Sequence, residues 1–329
     1  MPEPDYAAAA RAALNAWDLD VASLEIVSHS ENVVFAVTAQ NGERFVFRLH
    51  RPGYHSLKEL TSEQQWTAAL RKEGIDVPVP RATRSGSLYG EASVAGVPCY
   101  AGMLEWVEGE TMNSLMTTGQ DRAGFLQRFE SLGGLLATLH NQASSWKPPV
   151  DFQRRQLDAA GLMGAEPHWG PFWLARRLNT AQKNRFAALR ERLHDILTRL
   201  DQSTDEYSLI HADLHPGNVV VGEGGRLHII DFDDAAFGWH SYDLAVALKN
   251  YQEDPAFSAY QGALLKGYRR YRALREEQAA LIPLFLLIRA LASIGWADAR
   301  PELGHPEYVP RLARDVETKA EATLAVFPG

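Results

Sequence analysis

One segment constrains this chain more than any other: SLIHADLHPGNVVVGEGGRLHIIDFDDAAFGWHSYDLAVAL, running from Ser208 to Leu248. Val219-Val220-Val221 reads as a strand, Gly222 to Gly225 as a turn, and Leu227 to Ile230 as the returning strand. A hairpin brings its two ends together, so Asn218, just before the first strand, is expected beside Asp231, just after the second. An amide oxygen and a carboxylate held adjacent, with several positions left for water, suit Mg²⁺, which takes oxygen ligands and usually keeps phosphate or water in its shell. Asp213 lies five residues before Asn218, on a loop that follows apolar Leu209-Ile210. A carboxylate there is within reach of the same site and could accept a proton from an attacking hydroxyl.

The order His211-Ala212-Asp213, then Asn218, then Asp231-Phe232 matches the kinase pattern of His-Arg-Asp, four residues, Asn, and later Asp-Phe-Gly. Two positions depart from it: Ala212 stands for the Arg that commonly contacts a phosphorylated activation loop, and Asp233 for the Gly. The full string HADLHPGN…IIDFDDA…YDLA resembles the aminoglycoside phosphotransferase/choline kinase-like family, which shares the protein kinase fold. FVFRLHRP, the helix after it and the VPVP segment look like the branch of type II homoserine kinases, hydroxylysine kinases and bacterial stress-response Ser/Thr kinases.

The resemblance implies an α+β, protein kinase-like bilobal fold and ATP with Mg²⁺ as cofactors. It places Arg48 on the α/β-phosphates, where a planar guanidinium can serve as well as Lys. Glu63 is the best partner for Arg48, with Glu59 one turn earlier on the same helix face as the alternative. Ser30 and Asn32 would touch phosphate from a polar loop that lacks the usual glycines, or form a plain turn. Backbone groups of Glu105 and Val107 would read the adenine edge, Asp213 would be the proton acceptor, and Asn218 and Asp231 the metal ligands.

Along the rest of the chain, residues 6–17 read as a short amphipathic helix, and Asn41-Gly42 between two apolar runs reads as a hairpin turn. Ser56-Leu57-Lys58-Glu59 fits a capping box opening a helix that stops at Gly74. Two more strands are expected around Gly96. The apolar spacing from Phe125 to His140, a charged stretch at 184–200 and everything after 242 read as helix. The expected division is a nucleotide-binding lobe over 1–105 and a catalytic and acceptor-binding lobe over 106–329.

Composition excludes several classes. Forty-one acidic residues against 33 Lys plus Arg give a net charge of −8 without basic blocks, which argues against nucleic acid as a partner. The single cysteine, Cys99, rules out an internal disulfide and a Cys-rich zinc site and reads as a core residue. Neither a secretory signal nor a run long enough to span a bilayer is expected, so the working assumption is a cytoplasmic protein without a membrane partner. The kinase pattern implies a structural role for His211; Asp243 reads as a helix cap or, as the family resemblance implies, a brace for the catalytic loop; and Asp233 and Asp234 read as second-metal ligands or solvated carboxylates. Trp106, Trp169, Trp173 and Trp239 read as packing residues or as an acceptor pocket.

The favoured function is transfer of the ATP γ-phosphoryl group to a hydroxyl of a small molecule, such as an amino alcohol, amino acid or aminoglycoside-like compound. Only eleven residues separate Asp231 from Asp243, and no Ala-Pro-Glu follows, so little chain is left for a peptide platform. A protein Ser/Thr acceptor, as in the stress-response kinases, is the alternative, and a nucleotide-binding pseudokinase the third reading.

Overall fold

The computed structural model describes residues 5–118, 122–303 and 306–327. The chain divides into two compact units: Met1–Gly109 with Pro148–Gln153 and Val220–Asp233, and Glu110–Lys147 with Arg154–Val219 and Asp234–Gly329. The first holds an antiparallel sheet and the second is mainly helical, so the α+β class expected from the sequence is the class observed.

In the first unit β1 (Val21–His29), β2 (Val33–Ala39), β3 (Arg44–Leu49), β4 (Tyr89–Val94) and β5 (Val97–Glu105) form a sheet in the order β1-β2-β3-β5-β4. Every neighbouring pair is antiparallel. Alternation in β2 sends Val33, Phe35, Val37 and Ala39 inward, where they meet Phe47 and Leu49 of β3. Trp17, which follows helix α1 (Tyr6–Leu14), caps this core with its ring edge-on to Phe47 at 5.3 Å. Each such buried large side chain contributes about 1.5–3 kcal/mol. Asn41-Gly42 turns β2 into β3, with Gly42 at φ +87°, a conformation that costs glycine nothing.

Helix α2 (Leu57–Lys72) begins with the expected capping box: Glu59 N–H donates to Ser56 Oγ, and Ser56 N–H to Glu59 Oε2 at 2.8 Å. Its inner face carries Leu60, Glu63, Trp66 and Leu70, and Trp66 packs edge-on against Phe232 at 5.4 Å. The hairpin Val219–Val221/Leu227–Ile229 forms as expected, and Ile229 N–H ties it to Asp76 O at 2.9 Å.

In the second unit the long helix Arg122–Ser145 lies so close to Phe257–Arg269 that glycine is required at the crossing. A Cβ on Gly267 would sit 1.8 Å from Glu130 O. The charged stretch expected at 184–200 is the helix Thr180–Leu197. It starts earlier because Asn179 and Gln182 form a second capping box there. A short strand, Ala236–Trp239, pairs with Tyr207–Ile210 and was not anticipated. The C-terminal region is several helices, among them His240–Leu248, Ile282–Asp298 and Tyr308–Ala325. The stretch Glu276–Asp298 is long and apolar enough to cross a bilayer, but 67% of its most apolar window is buried within the protein. It works as a core helix, with Leu284, Phe285, Ile288, Leu291 and Ile294 all buried. Cys99 is a buried free thiol in the β-sheet core, as expected.

Candidate active site

The loop from His211 to Asn218 leaves the strand Tyr207–Ile210 through a strained step: Ala212 has φ +64°, a left-handed conformation costing a non-glycine residue about 1–2 kcal/mol. Asp243, in the first turn of His240–Leu248 and fully buried, holds that step. Ala212 N–H donates to Asp243 Oδ1 at 2.7 Å and His211 N–H to Asp243 Oδ2 at 3.0 Å. The Asp243 side chain caps nothing, so of its two expected roles the structure gives it the brace. Burial pushes its carboxyl up to about 6, against the pull of His211 and the two amides. Behind it His140 offers Nε2 to Asp243 at 3.2 Å and Nδ1 to Tyr268 Oη at 2.8 Å. Burial holds the His140 imidazole well below the usual histidine range, so it is neutral there.

Asp213 emerges from this loop partly exposed. Lys249 Nζ lies 2.5 Å from its Oδ1 and Arg289 Nη2 2.7 Å from the same atom. Burial opposes the carboxylate charge, but Lys249, Arg289 and His215 outweigh it and hold Asp213 well below the usual carboxylate range. His211 is buried, and its Nδ1 accepts from Asp213 N–H, a structural contact. Asn218 donates from Nδ2 to Asp213 O at 2.9 Å, which turns its Oδ1 the other way as an oxygen donor. Arg289 also bonds Tyr242 Oη and sits over the Trp169 ring at 5.0 Å. Trp239 is core, its Nε1 bonded to Asp201 O.

In the first unit Arg48 is buried between two carboxylates, with Nη2 3.1 Å from Asp231 Oδ1 and Nη1 3.9 Å from Glu63 Oε1. Burial disfavours its charge, but Asp231, Glu63 and Asp233 overcome that and raise its pKa. Glu59 is occupied in the capping box, which leaves Glu63 as the partner. Asp231 has φ +66°, a second strained position, and a carboxylate that is 45% exposed. Asp233 is not a solvated loop carboxylate. It is buried between His50 and His55, 3.6 Å and 3.4 Å away. Ser30 is exposed, whereas Asn32 is buried with Oδ1 accepting from Arg51 N–H at 3.2 Å, the pattern of a structural turn residue. Glu105 N–H is committed to Val79 O at 2.8 Å, so its carbonyl is the group left for a ligand; Val107 follows as half-buried backbone.

Among the described residues no three His, Cys, Asp or Glu cluster as a metal site. Asn218 and Asp231 each carry a side-chain oxygen of the hard kind that a divalent cation such as Mg²⁺ takes.

A family model described as "Phosphotransferase enzyme family", APH, matches residues 23–276. The chain belongs to this family. It is a kinase, and its fold is the protein kinase-like one expected. A solved structure described as the microcompartment-associated aminopropanol kinase is 27% identical, covers 97% of this chain and 98% of its own, and superposes with a TM-score of 0.83. A homoserine kinase from Beijerinckia indica is 29% identical over 65% of this chain and 61% of its own length. An amicoumacin kinase solved with AMP-PNP, Ca²⁺ and Ami shares the fold, with a TM-score of 0.79, 21% identity, and coverage of 96% and 94%.

Sequence reasoning missed two groups at Asp213. Lys249 and Arg289 lie 36 and 76 residues beyond it and belong to no motif. One signal was available: Arg289 interrupts the apolar run from Leu281 to Ile294, and a cation in such a helix requires a buried partner.

Proposed function

We propose that this kinase moves the γ-phosphoryl group of ATP to the hydroxyl of a small molecule. The observation that carries the reading is Asp213, partly exposed at the end of a strained and braced loop, with Asn218 oriented on the same loop by its own hydrogen bond. In the reaction the acceptor oxygen bonds to the γ-phosphorus as the bond to the β–γ bridging oxygen breaks. ADP leaves, and the hydroxyl proton passes to an Asp213 carboxylate oxygen. Arg48, oriented by Glu63, would bind the α/β-phosphates; Ser30 and the backbone of Glu105 and Val107 would complete the nucleotide site, with Asn32 shaping its turn. Asn218 and Asp231 would hold Mg²⁺, which when bound neutralises phosphate charge.

A small-molecule acceptor is favoured over a protein. After Asp233 the chain passes directly into the strand Ala236–Trp239 and the helix from His240, leaving no extended activation segment, and Ala212 cannot pair a phosphorylated loop. The aminopropanol and homoserine kinases among its relatives support the same choice. The test is ATP consumption with Mg²⁺ against pooled hydroxyl metabolites, with a generic protein substrate in parallel and Asp213→Asn as control. Turnover with a metabolite, lost by about 10²–10⁴-fold in the variant, is expected. Saturable phosphorylation of a protein Ser or Thr, faster than any metabolite, would overturn the acceptor class.

A further inference from the structure

The net charge of −8 suggests a cationic acceptor, but the surroundings of Asp213 point the other way. Lys249 and Arg289 place their charges on a single oxygen, Asp213 Oδ1, and their side chains are only 20% and 12% exposed. Among the described residues Asp213 is the sole acceptor of Lys249 Nζ, which leaves two of its three N–H donors without a protein acceptor. Arg289 has Tyr242 and Asp213 as partners, and its Nε is buried without an acceptor.

The charges facing this pair are Asp213 and Asp234, with His215 on the far oxygen of Asp213 at 3.6 Å. At rest two cations meet two carboxylates. Both cations lie in a site too buried for water to screen them fully. An acceptor bearing an ammonium next to its hydroxyl would bring a third positive charge to that point. One bearing a carboxylate would bring a negative charge to the two cations and meet their donors that no protein acceptor fills.

We propose that the acceptor carries a carboxylate beside its reactive hydroxyl, bound by Lys249 and Arg289, so that the substrate class is a hydroxy acid or hydroxy amino acid and not a simple amino alcohol. This rests on the hydroxyl-phosphorylating function proposed above. It also separates the two substrate types named among the relatives, homoserine and aminopropanol.

The test uses acceptor pairs that differ by the carboxylate alone: L-serine with ethanolamine, and L-homoserine with 3-amino-1-propanol. 1-Amino-2-propanol is added as a further amino alcohol. The carboxylate-bearing member should win in kcat/KM by about ten- to a hundredfold, the worth of one charge-assisted hydrogen bond. Lys249→Met should collapse that preference mainly through KM for the carboxylate-bearing member, and Lys249→Arg should keep it, with thermal unfolding confirming that both fold. A wild-type preference for the amino alcohol overturns the proposal. So does an equal loss of kcat on both members of a pair in Lys249→Met, which would assign the lysine to the transferred phosphoryl group. An acceptor found in the wider screen without a carboxylate refutes this inference and leaves the kinase function standing. No ATP consumption with any hydroxyl compound or protein would remove both.

Discussion

Replacing Asp243 by Asn should separate stability from activity. The carboxylate receives His211 N–H and Ala212 N–H on different oxygens, whereas a carboxamide has one oxygen and must turn its NH₂ toward the other donor. One buried amide is then left unsatisfied, at about 1–3 kcal/mol. Working against this, burial lifts the Asp243 carboxyl to about 6. Two units above an ordinary Asp means that the charged form costs about 3 kcal/mol at neutral pH, and Asn removes that cost. The two effects nearly cancel, so thermal unfolding at pH 7.5 should move by only a few degrees. Phosphoryl transfer should fall by about 10²-fold, because Ala212 is no longer held at φ +64° and Asp213 shifts with it. The pH dependence follows from the raised pKa. Between about 4 and 6 the folded state binds more protons at Asp243 than the unfolded chain, so this group's contribution to stability declines as pH rises through that window and is flat above it. The variant lacks that decline, so wild type should gain on it at pH 5 relative to pH 7.5. Single-turnover transfer within threefold of wild type would refute the brace. An identical stability difference at both pH values would refute the charge argument.

Arg48→Met leaves Glu63 buried without its cation and should destabilise by about 3 kcal/mol or more, and Glu63→Gln in the same chain should recover part of that in denaturant titrations. The same Arg48 variant should lose the ATP-dependent thermal shift; a shift of wild-type size would remove Arg48 from the phosphate site. Gly267→Ala gains about 1 kcal/mol of helix propensity but drives a methyl into Glu130 O, so a net loss of about 1–3 kcal/mol is expected in urea unfolding. Ser56→Ala removes one side of the capping box and should cost about 1 kcal/mol, with Ser56→Asp retaining most of it.

What the sequence disclosed was local. Asn41-Gly42, the Ser56–Glu59 box and the hairpin from Val219 to Ile229 are each specified by residues a few positions apart, and each formed as read. The choice between Glu59 and Glu63 was settled by that same local chemistry: a carboxylate closing a capping box is not available to Arg48. The strand Ala236–Trp239 escaped because four residues with a central glycine carry no period; Tyr207–Ile210 across from it makes it a strand. Asp233 looked like a loop carboxylate because its partners, His50 and His55, lie about 180 residues earlier. The charge environment of Asp213 was the least legible feature and the one with most bearing on the acceptor. Net charge averages over the surface, whereas recognition depends on the few charges that burial shields from water and salt. Lys249 and Arg289 are such charges. They reach Asp213 only because His240–Leu248 and Ile282–Asp298 pack together in the second unit, so the charge around Asp213 is set by helix packing and not by the motif that carries the chemistry.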